Sequence, residues 1–501
     1  MTEVANAPAI SRLVGFDTAG ETFAYGDRIL RGIYRGHGTS VRHILSVCQK
    51  HDLFAHGIVK THEVFENPVP HLDYEIVLEH ERIPFVSYPH EWSASMFKEA
   101  ALLHVALYER LAEHGLTLKD WHPLNILFSG TRPVFVDFTS IVPIDALASE
   151  PHLKDAAPPK WIGGMWDATS KAFYEMYRLM YEPYFGLPLS MMDRGHQARA
   201  RGRIYETTLN TGDDVITRRE VFGDSLLRRV LYEIDNRRLQ LTLRETGKDK
   251  RAFLRAVRHS IARRKAALKG SAYSSYYEDK NEAFSPEPSE AWTNKQHGVY
   301  DALVQLKPST VLDLGSNAGW FSMLAAKLGS TVVAVDLDEA SIDRLFAEAR
   351  REGMDILPLV ANLVRPLPPL KAKTFANEPS LSLIGEGGDV VTPPDMRLQC
   401  EMVIALAIVH HLALGQGHSF DEIATIFDRL ATKYLCVEFV DIQDPMVTGE
   451  RTFFPSYNQA PDNFTWYAKE NFIAALKWHF NEVEEVRSHP ETRTLLICRK
   501  T

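Results

Sequence analysis

A glycine-containing turn in the second half of the chain has residue types suited to holding a small ligand. Gly315 and Gly319 follow the apolar run Thr310–Leu314. A strand, a tight glycine turn and a helix start let backbone N–H groups approach a ligand closely. A pyrophosphate fingerprint would require glycines two and five positions after Gly315, where Asn317 and Trp320 stand. The turn therefore predicts a cofactor site, but not one for NAD or FAD.

Polar side chains also end the next two apolar runs. Asp336 follows Thr331–Val335, and Asn362 comes two positions after Ile356–Val360. A carboxylate can accept hydrogen bonds from both ribose hydroxyls, and an amide offers a donor and an acceptor to the edge of an adenine ring. These positions predict a cofactor that contains adenosine.

The two glycines of the turn and the carboxylate of Asp336 together resemble the motifs of class I S-adenosylmethionine-dependent methyltransferases. The resemblance includes Asp313 ahead of the first glycine and covers roughly residues 271–501. It implies that residues 315–319 wrap the methionine part of the cofactor, that Asp336 holds the ribose and that Asn362 lies near the adenine. The predicted S-adenosylmethionine-binding residues are Asp313, Gly315, Ser316, Asn317, Gly319, Asp336 and Asn362.

Two adjacent imidazoles follow the fourth apolar run of this half. His410 and His411 are expected at the carboxyl edge of the sheet, where doubly wound folds bind ligands. Methyl transfer needs mainly alignment, but an alcohol acceptor must lose a proton, which an imidazole can take near neutral pH. Either histidine could instead cap the next helix or pack in the core. Glu438, in the following strand, is the third candidate for a catalytic group.

Carboxylates and aromatic residues follow the imidazole pair along the chain. Asp441 and Asp444 could join the histidines around a divalent metal, but the spacing is not diagnostic and no metal site is predicted. The aromatic residues could form an acceptor lid or simply cover the core. They are Phe453, Phe454, Tyr457, Phe464, Trp466 and Tyr467.

The first half carries a second set of polar residues, Asp120, Asn125 and Asp137. Their spacing resembles the catalytic and metal-binding loops of kinase-like small-molecule phosphotransferases. That resemblance implies a base at Asp120 and magnesium ligands at Asn125 and Asp137. The sequence departs from that family at two positions. Leu118 stands where a histidine is expected, two residues before Asp120, and Thr139 stands where a glycine is expected after the Asp-Phe pair.

The phosphate-binding parts of such a kinase are also poorly represented. The segment Arg31–Gly38 is the candidate phosphate loop, and Lys60 is the candidate nucleotide-binding lysine. We therefore predict a degenerate kinase-like site that does not support phosphoryl transfer.

The whole arrangement resembles a bacterial family in which a degenerate kinase-like module precedes a class I methyltransferase domain. That family includes rhizobial host-specific nodulation proteins and enzymes encoded with surface-glycan genes. The resemblance implies a saccharide or lipo-oligosaccharide as methyl acceptor. The alternatives are a bifunctional small-molecule kinase and methyltransferase, or a non-catalytic factor that senses the cofactor. The segments that carry the resemblance are 81–92, 118–120, 133–137, 409–412, 438–440 and 444–447.

The elements that must position these residues divide the chain into three parts. Residues 1–235 are predicted to form an α+β kinase-like domain, residues 236–270 a basic helical linker, and residues 271–501 the methyltransferase domain. Apolar runs alternate with helical ones after residue 270, which predicts a doubly wound α/β sheet that closes with an antiparallel pair. The predicted strands of that sheet are 310–314, 331–335, 356–360, 402–407, 434–440, 483–486 and 494–498.

Composition places limits on partners and location. The 501 residues are 45% hydrophobic and 24% charged, as in globular proteins, and a net charge of −9 argues against nucleic acid as a partner. Neither a signal peptide nor a membrane span is recognisable, and the four cysteines lack disulfide or zinc spacing. We therefore expect a cytoplasmic protein, with no prediction of oligomeric state.

Overall fold

The structure is a computed structural model, and its main features are two sheets, of five and seven strands. Two short two-stranded ladders accompany them. The residues that the structure describes are 10–13, 17–149, 168–207, 216–223, 225–245, 250–268, 284–368, 392–448, 454 and 461–500.

The first half begins with an antiparallel sheet in the order β1-β2-β3-β5-β4. Helix α1 (Gly38–Lys50) joins β3 to the rest of the sheet and buries Val41, Ile44, Leu45 and Cys48. A mainly helical part follows, which confirms the α+β character predicted for this half. The strands are β1 (Ile10–Arg12), β2 (Gly20–Tyr25), β3 (Arg28–Ile33), β4 (Thr61–Glu63), β5 (Ile76–His80), β6 (Leu116–Leu118), β7 (Ile126–Ser129), β8 (Arg132–Phe135) and β9 (Ile141–Pro143).

Helix α2 (Ala94–Ala112) is the long buried helix of this half. Ser93 caps it, because its hydroxyl accepts a hydrogen bond from Met96 N at 3.4 Å. Gly115, with φ of +71°, turns the chain back into β6. The ladder of β6 with β9 and the hairpin of β7 with β8 then hold the segments that carry Asp120, Asn125 and Asp137.

More helices separate the two sheets. Helix α3 (Ala168–Met176) continues through the π-helical segment Tyr177–Gly186 into α4 (Leu187–Met192). The later helices are α5 (Gln197–Thr207), α6 (Arg218–Phe222), α7 (Leu226–Glu245) and α8 (Arg251–Ala262).

The division at residues 235 and 270 stays a prediction, but the helices around it are described in part. Helix α7 passes residue 235 without interruption. Helix α8 buries Phe253, Leu254, Val257 and Ile261 in a core shared with α2. Residue 270 lies outside the described residues.

The second half contains the seven-stranded sheet in the order β12-β11-β10-β13-β14-β16-β15. The first five of these strands run parallel, and β16 is antiparallel to both of its neighbours. The predicted doubly wound α/β sheet with a closing antiparallel pair is therefore confirmed. Its strands are β10 (Thr310–Leu314), β11 (Thr331–Asp336), β12 (Ile356–Val360), β13 (Cys400–Ala405), β14 (Ala431–Val440), β15 (Glu482–Arg487) and β16 (Arg493–Arg499).

Helices cover the faces of this sheet, as expected for buried parallel strands. Helix α11 packs Ile342, Leu345 and Ala349 into the apolar interior next to the sheet. The helices are α9 (Asn294–Leu306), α10 (Trp320–Lys327), α11 (Glu339–Glu352), α12 (Pro394–Arg397), α13 (Phe420–Leu430), α14 (Pro445–Thr448) and α15 (Lys469–Leu476).

Candidate functional site

The turn between β10 and α10 has the geometry expected of a cofactor loop. Gly315 and Gly319 have φ of +77° and +78°, which side chains rarely adopt. Gly315 N and Ser316 N both donate to Val335 O, at 2.8 and 3.1 Å, and so fix the turn to strand β11. A Cβ atom at Gly319 would lie 2.5 Å from Leu345 Cδ1. Both glycines are therefore required by conformation, and the second also by space.

Asp336 joins this turn to the end of β11. Its Oδ2 accepts a hydrogen bond from Asn317 N at 2.8 Å, and its Oδ1 accepts one from Asp338 N at 2.8 Å. Burial raises the pKa of Asp336, while the backbone donors oppose that rise. Each oxygen still has lone-pair capacity for a further donor. The carboxylate can therefore accept hydrogen bonds from a ribose.

Asp313 and Ser316 complete the inner side of the turn. Asp313 is buried and accepts a hydrogen bond from Ser322 Oγ at 2.6 Å. Burial raises the pKa of Asp313 to about 7, in spite of that hydroxyl. Ser316 Oγ is buried and has no hydrogen-bond partner among the described residues. A buried polar atom of this kind is costly unless a ligand or water satisfies it.

Asn362 lies beside Asp336, because Ala361 N donates to Asp336 O at 3.2 Å. Its Oδ1 accepts from Val364 N at 3.1 Å and from Arg365 N at 2.9 Å. The Asn362 side chain thus stabilises the turn after β12. Its contact with adenine stays a prediction. The residues at this edge fit S-adenosylmethionine on three counts: a glycine turn with two positive φ angles, the unsatisfied Ser316 hydroxyl and the Asp336 acceptor.

The imidazole pair follows β13 close to the same turn. A Cβ atom at Gly315 would be 3.4 Å from Ile408 Cδ1, two residues before His410. Ala407, with φ of +50°, redirects the chain at this point, which is an unfavourable conformation for alanine. The ring centroids of His410 and His411 are 4.3 Å apart. The structure therefore brings the predicted histidines to the same edge of the sheet as the glycine turn.

The two imidazoles have different surroundings. His410 is 2% exposed, and its Nδ1 has no hydrogen-bond partner in the described part of the chain. Burial, with smaller effects of His411 and Arg493, lowers the pKa of His410 to about 2. His411 is half-buried, and burial followed by Arg493 also lowers its pKa. Both rings are thus held neutral.

Phe454 from the predicted aromatic stretch packs against both rings. Its ring centroid is 5.6 Å from that of His410 and 5.3 Å from that of His411. Tyr467 instead stacks on Phe439 at 5.2 Å in the core. Phe453 and Tyr457 lie outside the described residues. The stretch therefore combines a contact at the site with core packing.

Glu438 belongs to a buried network of charges that the sequence analysis missed. Its Oε2 is 2.9 Å from Lys295 Nζ and 3.8 Å from Arg493 Nη1, and its Oε1 accepts from Ser488 Oγ at 2.6 Å. Arg493 Nε also donates to Asp444 Oδ2 at 2.9 Å. These partners are far apart in the sequence, so no local spacing could have indicated them.

The kinase-like residues of the first half also lie near one another. Asn125 Nδ2 donates to Asp120 Oδ2 at 3.1 Å, and Val136 N donates to Asn125 O at 2.8 Å, so the two loops meet. Asp137 Oδ1 is 2.9 Å from Arg31 Nη1. Arg31 lies on β3, so this arginine, rather than Lys60, is the cation paired with Asp137.

A third carboxylate, that of Asp17, shares the Arg31 guanidinium with Asp137. Asp17 is 3.1 Å from Arg31 and 3.3 Å from Lys119, and it accepts a hydrogen bond from Thr139 Oγ1. The segment Arg31–Gly38 is not a free phosphate loop. Gly36 N and Gly38 N donate to Glu75 Oε2 at 2.7 and 3.1 Å, so a carboxylate already uses the amides that a phosphate would need.

The described residues contain neither a metal-binding group of side chains nor a membrane-spanning helix. Within these ranges, no three histidine, cysteine or acidic side chains are grouped so that they could hold a metal ion. No helix in the same ranges is long and apolar enough to cross a membrane.

Comparisons with known proteins agree with this geometry. Residues 276–364 match the family model described as tellurite resistance protein TehB. The chain is 25% identical over 481 residues to the nodulation protein NoeA of Rhizobium meliloti strain 1021, and the match covers 91% of both proteins.

Solved structures are similar to this chain over less than half of its length. The bifunctional kinase-methyltransferase WbdD is 17% identical, with a TM-score of 0.29 over 45% of this chain and 42% of that one. TehB from Haemophilus influenzae is 15% identical, with a TM-score of 0.27 over 46% of this chain and 67% of that one. These low scores add no argument of their own. The family model, the sheet order and the glycine turn with Asp336 together identify the chain as a class I S-adenosylmethionine-dependent methyltransferase, similar along most of its length to the nodulation protein NoeA.

Proposed function

We propose that the protein transfers a methyl group to a hydroxyl oxygen of a saccharide or lipo-oligosaccharide. The observation that carries the proposal is the neutral imidazole pair beside the cofactor turn. An oxygen acceptor must lose its proton when the methyl group arrives, and a neutral imidazole can take it. The choice of a glycan acceptor rests on the resemblance to rhizobial nodulation proteins and surface-glycan enzymes, and the similarity to a protein named for nodulation is in line with that resemblance.

The residues of this chain have separate tasks in that reaction. When bound, S-adenosylmethionine supplies an electrophilic methyl group on sulfur. The turn at residues 315–319 and Asp336 hold that cofactor, so that the acceptor oxygen can approach in line. His411 is the better placed proton acceptor, because it is half-buried and can meet an acceptor from outside. His410 is buried, with its ring centroid 4.3 Å from that of His411, and we assign it the task of supporting the His411 ring.

Glu438 has a supporting task in this proposal. Its two oxygens are already engaged by Lys295 and Ser488. Lys295 also lies 5.9 Å from the ring of Phe321 in helix α10, close to the cofactor turn. We therefore assign Glu438 the task of holding α9 and β14 in place, with proton transfer left to the histidines.

The proposal is tested by incubating the full chain with methyl-labelled S-adenosylmethionine and fractionated cell-surface glycans. We expect label in a saccharide fraction, in a form that mild alkali does not release, because ethers resist conditions that hydrolyse methyl esters. Label that alkali releases would indicate carboxyl methylation. Absence of transfer to every fraction, with cofactor binding intact, would favour a cofactor-sensing factor instead.

Replacement of His411 by alanine is expected to lower kcat by about a hundredfold or more, because the acceptor proton loses its destination. In the parent, the rate should rise with pH and level off below neutral, since the base must be unprotonated and its pKa lies below 6.5. His410→Ala should have a smaller effect. His479→Ala, which breaks a contact with Asp428 instead, is the control. Unchanged turnover and pH profile in both site variants would remove the histidines from the mechanism.

The kinase-like site is proposed not to transfer phosphate. Arg31 bridges Asp17 and Asp137, so the predicted metal ligand already has a cation as its partner, and the Asp17 carboxylate would repel a phosphate. With magnesium, labelled ATP and the same glycan fractions, we expect no phosphorylated product. A product that disappears in Asp120→Asn and Asp137→Asn would make a bifunctional enzyme the better account.

A further inference from the structure

Helix α11 presents one face to its own sheet and another to the first half of the chain. The residues of the second face are Glu339, Asp343, Phe346 and Arg350, at spacings of four, three and four. Such residues lie along one side of a helix. Phe346 packs edge-on against Phe128 at 6.3 Å, and Arg350 pairs with Glu99 at 2.7 Å. The two halves therefore share this helix as an interface.

The carboxylates of this face cap helix α2 of the first half. Glu339 Oε1 accepts a hydrogen bond from Ala94 N at 3.0 Å. Asp343 accepts from Ser95 N at 2.9 Å and from Ser95 Oγ at 2.8 Å. The first N–H groups of a helix lack partners within the helix and carry partial positive charge. Here the second half supplies the partners of Ala94 N and Ser95 N and the negative charge, while Ser93 serves Met96 N.

Glu339 is also bound by helix α5. Arg201 Nη1 donates to Glu339 Oε2, and the two side chains are 14% and 10% exposed. Four residues further along the same face of α5, the hydroxyl of Tyr205 donates to Pro368 O, in the segment that follows Asn362. The first half thus contacts the chain just after both β11 and β12.

A short chain of contacts leads from Glu339 to the cofactor turn. Asp338 precedes Glu339, and its N–H donates to Asp336 Oδ1. The other oxygen of Asp336 accepts from Asn317 N. Glu339 and Asp336 are only three residues apart. A displacement of Glu339 would therefore also move the carboxylate that is assigned to the ribose.

A second anchor lies at Arg397, at the end of α12. Its guanidinium donates to Val86 O at 2.7 Å, pairs with Glu91, and lies 4.6 Å from the ring of Tyr88. Thr392 N donates to the Tyr88 hydroxyl at 2.8 Å. The segment 81–92, which the sequence analysis singled out, thus includes residues that bind the methyltransferase half.

We propose that the first half positions the ribose side of the S-adenosylmethionine pocket, with Arg201 and Glu339 as positioning residues that act through Asp336. This gives the kinase-like half a task in cofactor binding that requires no phosphoryl transfer. The proposal concerns cofactor affinity alone, so its failure would leave the proposed O-methylation untouched.

The test is calorimetric titration of the full chain with S-adenosylmethionine. Arg201→Ala should weaken binding about tenfold, a typical size for coupling between sites. Arg201→Lys should recover part of the loss. Glu339→Gln keeps an acceptor for Ala94 N but loses the charge pair with Arg201. Its loss of cofactor affinity should therefore equal that of Arg201→Ala. The double variant should be no weaker than either single one, because both changes remove the same interaction.

Arg350→Ala is the matched control, because it breaks a contact of the same interface near the far end of α11. The thermal midpoints of Arg201→Ala and Arg350→Ala should fall by similar amounts, while only Arg201→Ala should lose cofactor affinity. Binding by Arg201→Ala within twofold of the parent, or equal losses in the two variants, would overturn the proposal. If Arg201→Ala does not fold, Arg201→Lys and Glu339→Gln decide by the same criterion.

Discussion

Asp336→Ala is expected to weaken S-adenosylmethionine binding by roughly a hundredfold. Loss of two hydrogen bonds from ribose hydroxyls to a carboxylate is worth about 3 kcal/mol in all, and each 1.4 kcal/mol is tenfold in affinity. The change also removes the acceptor of Asn317 N, which loosens the turn itself. Calorimetric titration measures the effect directly.

Asp355→Ala is the matched control for this variant. Asp355 accepts a hydrogen bond from Thr331 Oγ1 at 2.7 Å, at the opposite end of strand β11, so its loss should leave cofactor affinity unchanged. Gly315→Arg is a second test, since its Cβ would already lie 3.4 Å from Ile408 Cδ1 and the position needs a positive φ. Binding of parent strength in both Asp336→Ala and Gly315→Arg would refute the assignment of the pocket.

Arg493→Leu should lower the free energy of unfolding by about 3–5 kcal/mol, because it leaves Asp444 and Glu438 buried without this partner. For a domain of this size, the thermal midpoint should fall by roughly 10 °C. Arg499→Leu on the same strand breaks only ion pairs with exposed glutamates and should cost less than about 1 kcal/mol.

The effect of Arg493→Leu should depend on pH. Burial acts to raise the pKa of Asp444, but hydrogen bonds from Arg493 and Thr492 lower it from 3.8 to about 2. A carboxylate with a lowered pKa stabilises the fold above its unfolded value and loses that contribution as the pH falls. The difference in free energy of unfolding between parent and variant should therefore become smaller from pH 4 towards pH 2. A gap that is constant over that range would show that Asp444 does not carry the effect.

Local patterns in the sequence were enough to predict the sheet of the second half. Its parallel strands are short apolar runs between helices, and the termini of β10 and β12 agree with those predicted. Side chains that end such strands meet at one edge by topology alone, which is why Asp336 and His410 could be placed together. The position of these residues at one edge could therefore be predicted from the sequence, while their roles towards the cofactor stay predictions.

Contacts between distant segments could not be predicted in the same way. Lys295 and Glu438 are 143 residues apart, and Arg201 and Glu339 are 138 apart. Neither spacing is periodic, and a charged residue on a helix is usually solvated, so the sequence favours exposed positions for Lys295, Arg201 and Glu339. Only the packing of α11 against α2 shows that Glu339 is buried and bound.

The capping of α2 by Glu339 and Asp343 has a consequence for how such a chain can be inherited. A helix start in one half that obtains its acceptors from the other half cannot be exchanged as an independent cassette. Recombination that joined this methyltransferase half to an unrelated N-terminal segment would leave the buried Glu339, the half-buried Asp343 and the guanidinium of Arg397 without their counterparts. Exchange of either half alone should therefore destabilise the start of α2, which favours inheritance of the two halves together.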